Sequence, residues 1–188
     1  MLTAVFLLFG IVGAKIAFLL ESPVDHYDSF WTLKTGYNFC GSVLLVALSA
    51  WCFGPLFGLN RKTSLDFCSI LLAVMISSVR IGCYLGGCCY GMIGGEKIPV
   101  QLFEACGDFY LLIFLTYKES VGKLKDRSWQ CFATCYGFWR FFWELFMPLP
   151  NAFLGMSTRE WMSLLVGLFG FAALAYDEFR RKDRKGGC

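Results

Sequence analysis

The sequence predicts an all-α membrane protein: a polytopic bundle of about six transmembrane helices with both termini in the cytoplasm. Of its 188 residues, 57% are hydrophobic and only 16% are charged, whereas soluble domains carry roughly 25% charged residues. The apolar residues fall into six stretches, and the basic residues fall mainly into alternate loops between them. The formal net charge of +3 is too small to indicate nucleic-acid binding, so we expect no nucleic-acid partner.

Each of the six apolar stretches comes near the ~20 residues that an α-helix needs to cross a bilayer. They run over residues 2–20, 39–57, 65–85, 100–117, 129–147 and 160–176. The first has the length of a signal peptide, but it lacks a basic n-region and contains Lys15, so we interpret it as a retained membrane anchor. Pro148 and Pro150 follow the fifth stretch, and we therefore expect that helix to end near Met147.

The distribution of basic residues predicts the topology. Of the 17 Lys and Arg residues, eleven follow the second, fourth or sixth stretch. They are Arg61, Lys62, Lys118, Lys123, Lys125, Arg127, Arg180, Arg181, Lys182, Arg184 and Lys185. The positive-inside rule places these segments and both termini in the cytoplasm. The loops that contain His26, Gly91 and Asn151 are then expected to face outward. The loop 86–99 is rich in glycine, which favours a tight turn over a helix.

Three of the predicted spans carry polar or charged residues at membrane depth, where each ionised side chain costs at least ~2.5–3.5 kcal/mol. These residues are Arg80, Gln101, Glu104, Asp108, Tyr136, Arg140 and Glu144. Spacings of three or four place those of the fourth span on one helix face and those of the fifth span on another. A lone Arg–Glu pair is explained equally well as a structural ion pair. Two arginines, whose planar forks suit phosphate oxygens, favour a cavity for an anionic phospholipid headgroup.

Several segments resemble, in order, motifs of the bacterial prolipoprotein diacylglyceryl transferases. VRIGCYLGGCCYG (79–91) is similar to the family's arginine-centred signature. The other similar segments are GAKIAFLLE (13–21), GYNFCGSVL (36–44), PVQLFE (99–104), YGFWRFFWEL (136–145) and LGMSTREWMSL (154–164). The resemblance covers nearly the whole chain. It implies a single transmembrane domain over residues 1–188 that lacks the family's first helix.

The resemblance also implies an activity and its partners. The family transfers a diacylglyceryl group from phosphatidylglycerol to the lipobox cysteine of a secreted prolipoprotein. We therefore expect a multi-pass transferase of the bacterial cytoplasmic membrane that uses no cofactor. It would bind a phospholipid of the outer leaflet and modify a secreted protein or another thiol. A second copy or a partner helix could fill the gap left by the absent helix.

The roles of individual residues follow from the matching positions. Arg80 and Arg140 are expected to hold the donor phosphate, and Tyr136 to contact the donor. The other residues expected to form the donor site are Gln101, Glu104, Glu144, Gly87 and Gly91.

Cysteines stand where the family keeps polar groups of its site. The family's histidine falls at Cys40, its asparagine three residues after the first arginine falls at Cys83, and further polar positions fall at Cys88 and Cys89. We predict Cys40 and Cys83 as the reactive groups, with Cys88 and Cys89 as redox candidates, since the outer face of a bacterial membrane is oxidising. The C-x4-C-C spacing matches no common zinc pattern, so we predict no metal.

Two alternative functions remain open at the level of sequence. One is a thiol-disulfide oxidoreductase or thiol-group transfer enzyme that uses the same scaffold. The other is a non-catalytic membrane protein that binds lipid or metal. The single histidine, His26, lies in an outer loop and is expected to take no part in the chemistry.

Overall fold

The protein is described by a computed structural model over residues 2–21, 38–148 and 153–186, which are mostly helical. The six α-helices of this part of the chain are α1 Leu2–Glu21, α2 Phe39–Phe53, α3 Arg61–Leu85, α4 Val100–Ser120, α5 Ser128–Glu144 and α6 Thr158–Gly186. A short 3-10 helix, Gly54–Phe57, continues α2. The six apolar stretches of the sequence thus coincide with the six α-helices.

Among the described residues, three helices are long and apolar enough to cross a membrane: α3, α4 and the Thr158–Asp183 part of α6. Two shorter apolar helical segments, Thr3–Leu19 and Gly41–Phe57, lie in α1 and in α2 with its 3-10 extension. A mostly helical fold with helices that could cross a membrane is therefore confirmed. The number of crossings and the side on which the termini lie stay predictions.

The loop between α3 and α4 contains a β-hairpin, whereas the glycine content of this loop predicted only a tight turn. Strands β1 (Gly91–Ile93) and β2 (Glu96–Ile98) pair antiparallel, with Gly91 opposite Ile98. Gly94 and Gly95 form the two-residue connection with φ values of 59° and 89°. Two successive positive φ values are typical of the type I′ turn, which glycine adopts without steric cost. The described part of the chain is therefore all-α except for this hairpin and the single β-bridge between Phe153 and Met156.

Helix α5 ends three residues before the predicted position. After Glu144 the backbone hydrogen bonds join residues three apart instead of four. Phe146 N–H donates to Trp143 O at 3.1 Å, and Met147 N–H donates to Glu144 O at 3.0 Å. Such bonds between residues three apart are common where an α-helix closes. Pro148, which cannot continue the helix, follows directly.

The chain forms two compact units, Met1–Cys68 and Ser69–Cys188, which we describe separately. In the first unit, α1 and α2 approach closely at Gly13 and Gly41. A Cβ on either glycine would collide with the backbone carbonyl of the other. The N–H of Asn38 also donates to the carbonyl of Ala14 at 3.0 Å. Small residues at such a crossing allow close helix packing without a polar contact.

In the second unit, α5 and α6 cross at glycines. A Cβ on Gly137 would collide with the backbone of Gly167, so the two helices touch through their main chains at this point. The start of α6 is fixed by a capping box. Ser157 N–H donates to Glu160 Oε2 at 2.6 Å, and Glu160 N–H donates to Ser157 Oγ at 3.2 Å. The α5–α6 pair is therefore both closely packed and firmly capped.

The two ends of α5 carry different structures. Near its start, Arg127 Nη2 lies 3.2 Å from Glu178 Oε2, and Gln130 Nε2 donates to Asp177 Oδ2 at 3.1 Å. These two contacts join the basic loop after α4 and the start of α5 to the C-terminal part of α6. Near its end, Met92 N–H of the hairpin donates to Phe146 O at 2.7 Å. The basic loop and the hairpin thus lie at opposite ends of α5.

Candidate functional site

Four charged side chains of α3, α4 and α5 form a buried ion-pair cluster: Arg80, Glu104, Arg140 and Glu144. Glu104 is the shared partner. Its Oε2 lies 3.1 Å from Arg80 Nε, and its Oε1 accepts a hydrogen bond from Arg140 Nη1. Arg140 Nε lies 2.9 Å from Glu144 Oε1, one helical turn further along α5. The structure thus brings together the two arginines and two of the acids that the sequence singled out.

Burial makes this arrangement energetically significant. The arginines are 7% and 8% exposed and the glutamates 1%. Charges taken out of water at this depth carry a desolvation cost of several kcal/mol each, which only close pairing offsets. Two positive and two negative charges balance formally within the cluster. Its members therefore depend on one another, and none can be neutralised without leaving an opposite charge uncompensated.

Ser163 of α6 completes the cluster and was missed at the level of sequence. Its Oγ donates to Glu144 Oε2 at 2.6 Å, and its side chain is buried. Glu144 is thereby held between Arg140 on its own helix and Ser163 on the next. The signal that could have identified Ser163 is its position three residues after Glu160, which places two polar side chains on one face of α6.

Two further polar residues flank Glu104 on α4, and each has an atom without a partner. Gln101 Nε2 donates to the carbonyl oxygen of Cys88. Gln101 Oε1 and Asp108 Oδ1 are buried and accept no hydrogen bond from the described residues. A buried polar group without a partner costs roughly 1–3 kcal/mol. These two oxygens therefore mark places where a bound molecule with hydrogen-bond donors would be stabilised.

A thiol cluster, Cys83, Cys88 and Cys89, lies at the C-terminal end of α3. The three sulphur atoms lie within 4.8 Å of one another. Cys83 is half-buried, and the other two are exposed. The Sγ–H of Cys88 also donates to the carbonyl oxygen of Cys83 at 3.5 Å. The structure therefore groups one predicted reactive residue with both redox candidates.

The thiols of the loop differ in acidity. A hydrogen bond from Cys83 lowers the pKa of the Cys89 thiol to about 5, against the effect of burial, and the positive charge of Arg80 lowers it further. Burial, followed by the negative charge of Cys89, raises the pKa of the Cys88 thiol. Cys89 is thus the thiolate of the loop near neutral pH, a role that the sequence did not assign to it.

The remaining predicted site residues take different positions. Tyr136 lies one turn before Arg140, is buried, and stacks on Phe132 with ring centroids 5.4 Å apart. Gly87 has φ 66° and open space around its Cα. At Gly91 an added Cβ would collide with the Val100 side chain, so this glycine seats the hairpin against α4.

The first unit or the undescribed residues contain Cys40, His26 and Lys15. Cys40 belongs to α2, but its side chain lies outside the described residues, as does the whole of His26. Lys15 of α1 is buried in the first unit. The reactive role predicted for Cys40 stays a prediction.

Two hollows lie beside α4. An apolar cavity of about 400 Å³ lies between α4 and α5; it is lined by Gly107, Tyr110, Leu111, Phe114, Cys135 and Trp139. A second hollow of about 270 Å³ opens beside the hairpin; it is lined by Tyr84, Gly87, Tyr90, Lys97, Ile98, Pro99 and Gln101. The four charged residues of the cluster line neither hollow, but the second hollow reaches Gln101, which precedes Glu104 by three residues on α4.

Comparison with known proteins agrees with the resemblance seen in the sequence. The family model for prolipoprotein diacylglyceryl transferase matches residues 1–176. The chain is similar to the phosphatidylglycerol–prolipoprotein diacylglyceryl transferase of Clostridium tetani, with 24% identity over 92% of this chain and 78% of the relative. It is 27% identical to transferase 2 of Clostridium perfringens, over 94% of this chain and 77% of the relative. The Pseudomonas aeruginosa transferase is 28% identical, over 82% and 65%.

Proposed function

The chain belongs to the prolipoprotein diacylglyceryl transferase family, and on that premise we propose that it is a membrane-embedded transferase. It binds phosphatidylglycerol and transfers the diacylglyceryl group to a thiol; the names of its relatives state phosphatidylglycerol and prolipoprotein as substrates. The observation that carries the proposal is the buried ion-pair cluster, in which two arginines converge on one glutamate.

The arginines retain donors for a phosphate. A guanidinium has five N–H donors. The ion pairs of the cluster use Nε of Arg80, and Nε and Nη1 of Arg140. The remaining terminal N–H groups suit the oxygens of a phosphate, which bind arginine in a bidentate manner. Glu104 and Glu144 fix the orientation of both guanidinium groups before the lipid arrives, so little order is lost on binding.

The neighbouring hollows fit the rest of a phospholipid. The apolar cavity beside Gly107 and Trp139 suits an acyl chain, which needs no polar partner. The unpartnered oxygens of Gln101 and Asp108 can accept hydrogen bonds from the hydroxyl groups of the glycerol headgroup. A phosphatidylglycerol molecule placed in this way satisfies polar atoms that the described residues leave without partners.

The chemistry then follows from the charges. The acceptor thiol loses its proton to water, and its sulphur attacks the carbon of the diacylglyceryl group that is bonded to the phosphate oxygen. A C–S bond forms as the C–O bond to the phosphate breaks. Glycerol phosphate leaves with additional negative charge. Arg80 and Arg140 stabilise that charge at the moment it develops, which is the usual function of fixed positive groups in such a step.

The membrane arrangement is part of the proposal. We place six crossings, both termini in the cytoplasm, and the site near the outer leaflet of a bacterial cytoplasmic membrane, with residues 1–188 forming one transmembrane domain. The support within the second unit is that the basic loop and the hairpin lie at opposite ends of α5. A second copy or a partner helix beside this domain stays a proposal. The two alternative functions gain no support from the family or from the names of the relatives.

The test uses the full chain in liposomes that contain phosphatidylglycerol, with a lipobox cysteine peptide as acceptor and release of glycerol phosphate as the readout. Arg140→Lys keeps the charge and removes the planar fork, and we expect transfer to fall by about 100-fold or more, the range seen when one stabilising donor is removed. Arg127→Lys is the matched control, because Arg127 forms a partly exposed pair with Glu178. Unchanged transfer and unchanged phosphatidylglycerol retention in Arg140→Lys and Arg140→Ala would refute the proposal.

A further inference from the structure

We propose that the thiol cluster of Cys83, Cys88 and Cys89 is a three-thiolate site for a thiophilic metal ion of the Zn²⁺ or Cu⁺ class, with one coordination position left for the acceptor thiol. The metal site is argued from geometry and ligand chemistry alone, and it replaces the prediction of no metal, which was based only on the C-x4-C-C spacing. The role of its last coordination position rests on the proposed transferase function.

The distances fit a metal ion. The three sulphurs lie within 4.8 Å of one another. A Zn–S bond is ≈ 2.3 Å long, and a tetrahedral arrangement separates two sulphur ligands by about 3.8 Å. Movements of about 1 Å therefore bring the three thiolates to bonding distance. Exposed side chains such as Cys88 and Cys89 reach this by small rotations, without a change in the helix that carries Cys83.

Helix capping places two of the thiols together. Helix α3 ends in a Schellman motif, in which Gly87 N–H donates to Tyr84 O at 3.1 Å and Cys88 N–H donates to Cys83 O at 3.0 Å. The glycine has φ 66°. In this motif the residues at the positions of Cys83 and Cys88 usually make an apolar contact. Two cysteines can make this apolar contact as part of the helix cap, so Cys83 and Cys88 alone would not indicate a ligand site.

The third thiol distinguishes a metal site from a simple cap. Cys89 adopts φ 61°, a left-handed conformation that costs a residue other than glycine roughly 1–2 kcal/mol. It brings the Cys89 sulphur back to the other two. The hydrogen bond from Gln101 Nε2 to the Cys88 carbonyl, and that from Met92 N–H to Phe146 O, hold the chain on either side of it. The third sulphur is therefore positioned by the fold.

The ligand set points to a soft ion. Thiolates prefer Zn²⁺ and Cu⁺ over Mg²⁺ or Ca²⁺. Three thiolates and a divalent ion carry a net charge of −1, and Arg80, three residues before Cys83 on the same side of α3, supplies a positive charge. Three protein ligands leave a fourth position to an exogenous molecule, as in zinc sites that perform catalysis.

The fourth position suits the acceptor thiol of the proposed reaction. A thiol that coordinates Zn²⁺ is deprotonated outright, and its proton passes to water. The bound sulphur then attacks the glyceryl carbon, the C–O bond to the phosphate breaks, and glycerol phosphate leaves towards Arg80. No side-chain base is needed, which agrees with a sequence whose single histidine is His26.

The experiment is a titration of the full chain, purified in detergent with reductant and stripped of metal, with Cd²⁺ as a probe for thiolate coordination. We expect one equivalent to give a saturable ultraviolet charge-transfer band. Cys83→Ser and Cys89→Ser should each weaken Cd²⁺ binding by about 100-fold, more than the loss of an outer partner of a ligand. Cys106→Ser, at an exposed cysteine of α4, should leave it unchanged. Elemental analysis of the protein as purified identifies Zn²⁺ or Cu⁺.

Alkylation before and after metal addition guards against misfolded variants, because bound metal should protect all three cysteines of the unmodified chain at once. The site is overturned if no saturable band forms, if the two serine variants bind as tightly as the parent chain, or if two of the three cysteines remain in a disulfide under reductant. Metal binding without any transfer refutes the proposed function and leaves the metal site intact. Transfer that survives metal removal and Cys89→Ser overturns the role given to the metal.

Discussion

Replacing Glu104 by glutamine removes one negative charge from the centre of the buried ion-pair cluster and keeps the size and shape of the side chain. Glu104 is the shared partner of Arg80 and Arg140. In Glu104→Gln the two arginines retain one carboxylate between them, that of Glu144. The variant therefore has an excess positive charge in a place from which water is excluded.

The cost of this change can be estimated from the burial of the pair. Removing one partner of a buried ion pair destabilises a protein by about 3–5 kcal/mol. The amide oxygen of glutamine still accepts a hydrogen bond, which places the expected loss near the lower limit, about 3 kcal/mol. For chains of this length each kcal/mol lowers Tm by roughly 2–4 °C, so we expect Tm to fall by about 6–12 °C in detergent without lipid.

The proposed phosphate site adds a second expectation. A bound phosphate restores the missing negative charge, so phosphatidylglycerol should stabilise Glu104→Gln more than it stabilises the parent chain. At one hundred times its dissociation constant a ligand adds about 2.7 kcal/mol, which would recover most of the loss. Diacylglycerol has the same chains but no phosphate and should recover little of it.

The assay is thermal unfolding in a non-ionic detergent with each lipid. Glu178→Gln is the control, since the Glu178 side chain is 53% exposed and pairs with Arg127 at 3.2 Å; its loss should stay within about 1 kcal/mol. If Glu104→Gln lost stability and both lipids restored it equally, or neither did, the arginines would be a structural element only. The phosphate-binding role would then be abandoned.

Three further predictions address the neighbouring residues. Gly91→Ala should loosen the hairpin and destabilise the protein by about 1–3 kcal/mol through overpacking. Gly94 has open space around it, so Gly94→Ala should reduce stability only by the roughly 1–2 kcal/mol that its positive φ costs a residue with a side chain. The denaturant midpoints of the two variants test this difference. Ser163→Ala should cost about 1.5–3 kcal/mol, because its hydroxyl donates to the Glu144 carboxylate, and unchanged thermal stability would contradict that bond. In the reduced, metal-free chain, the alkylation rate of Cys89 should be nearly independent of pH above about 6 and should fall tenfold per pH unit below its pKa of about 5, because only the thiolate reacts. Mass mapping of a pH series measures this rate. A rate that already falls below pH 8 would show that Cys89 is an ordinary thiol.

Hydropathy and helical spacing were sufficient to predict the elements that carry the cluster. The six apolar stretches correspond to the six α-helices, and the four-residue spacing of Arg140 and Glu144 already indicated one helix face. The sharing of Glu104 by Arg80 and Arg140 could not be predicted, because it depends on how three helices lie against one another. The spacing of residues within one helix carries no information about how that helix packs against the other two.

The hairpin and the thiol cluster show a different limit. Gly94-Gly95 between two short segments is a recognised hairpin signal, but the strands are three residues each, too short for an alternating pattern to stand out. The approach of Cys89 to the other two thiols depends on a left-handed φ at a cysteine, which residue preferences oppose. The sequence shows how many thiols are present, but the backbone conformation determines that the sulphurs of these three cysteines lie within 4.8 Å of one another.

The last turn of α3 connects the two halves of the proposed reaction. Arg80, which would hold the leaving phosphate, precedes Cys83, which would hold the metal, by three residues, and a helix rises 1.5 Å per residue. The two positions are therefore about 4.5 Å apart along the axis, on the same side of one rigid element. Gln101 ties the same loop to α4, close to Glu104. A change that unwinds this turn should consequently impair donor binding and metal binding together, whereas a change in either ligand set alone should impair only one of them.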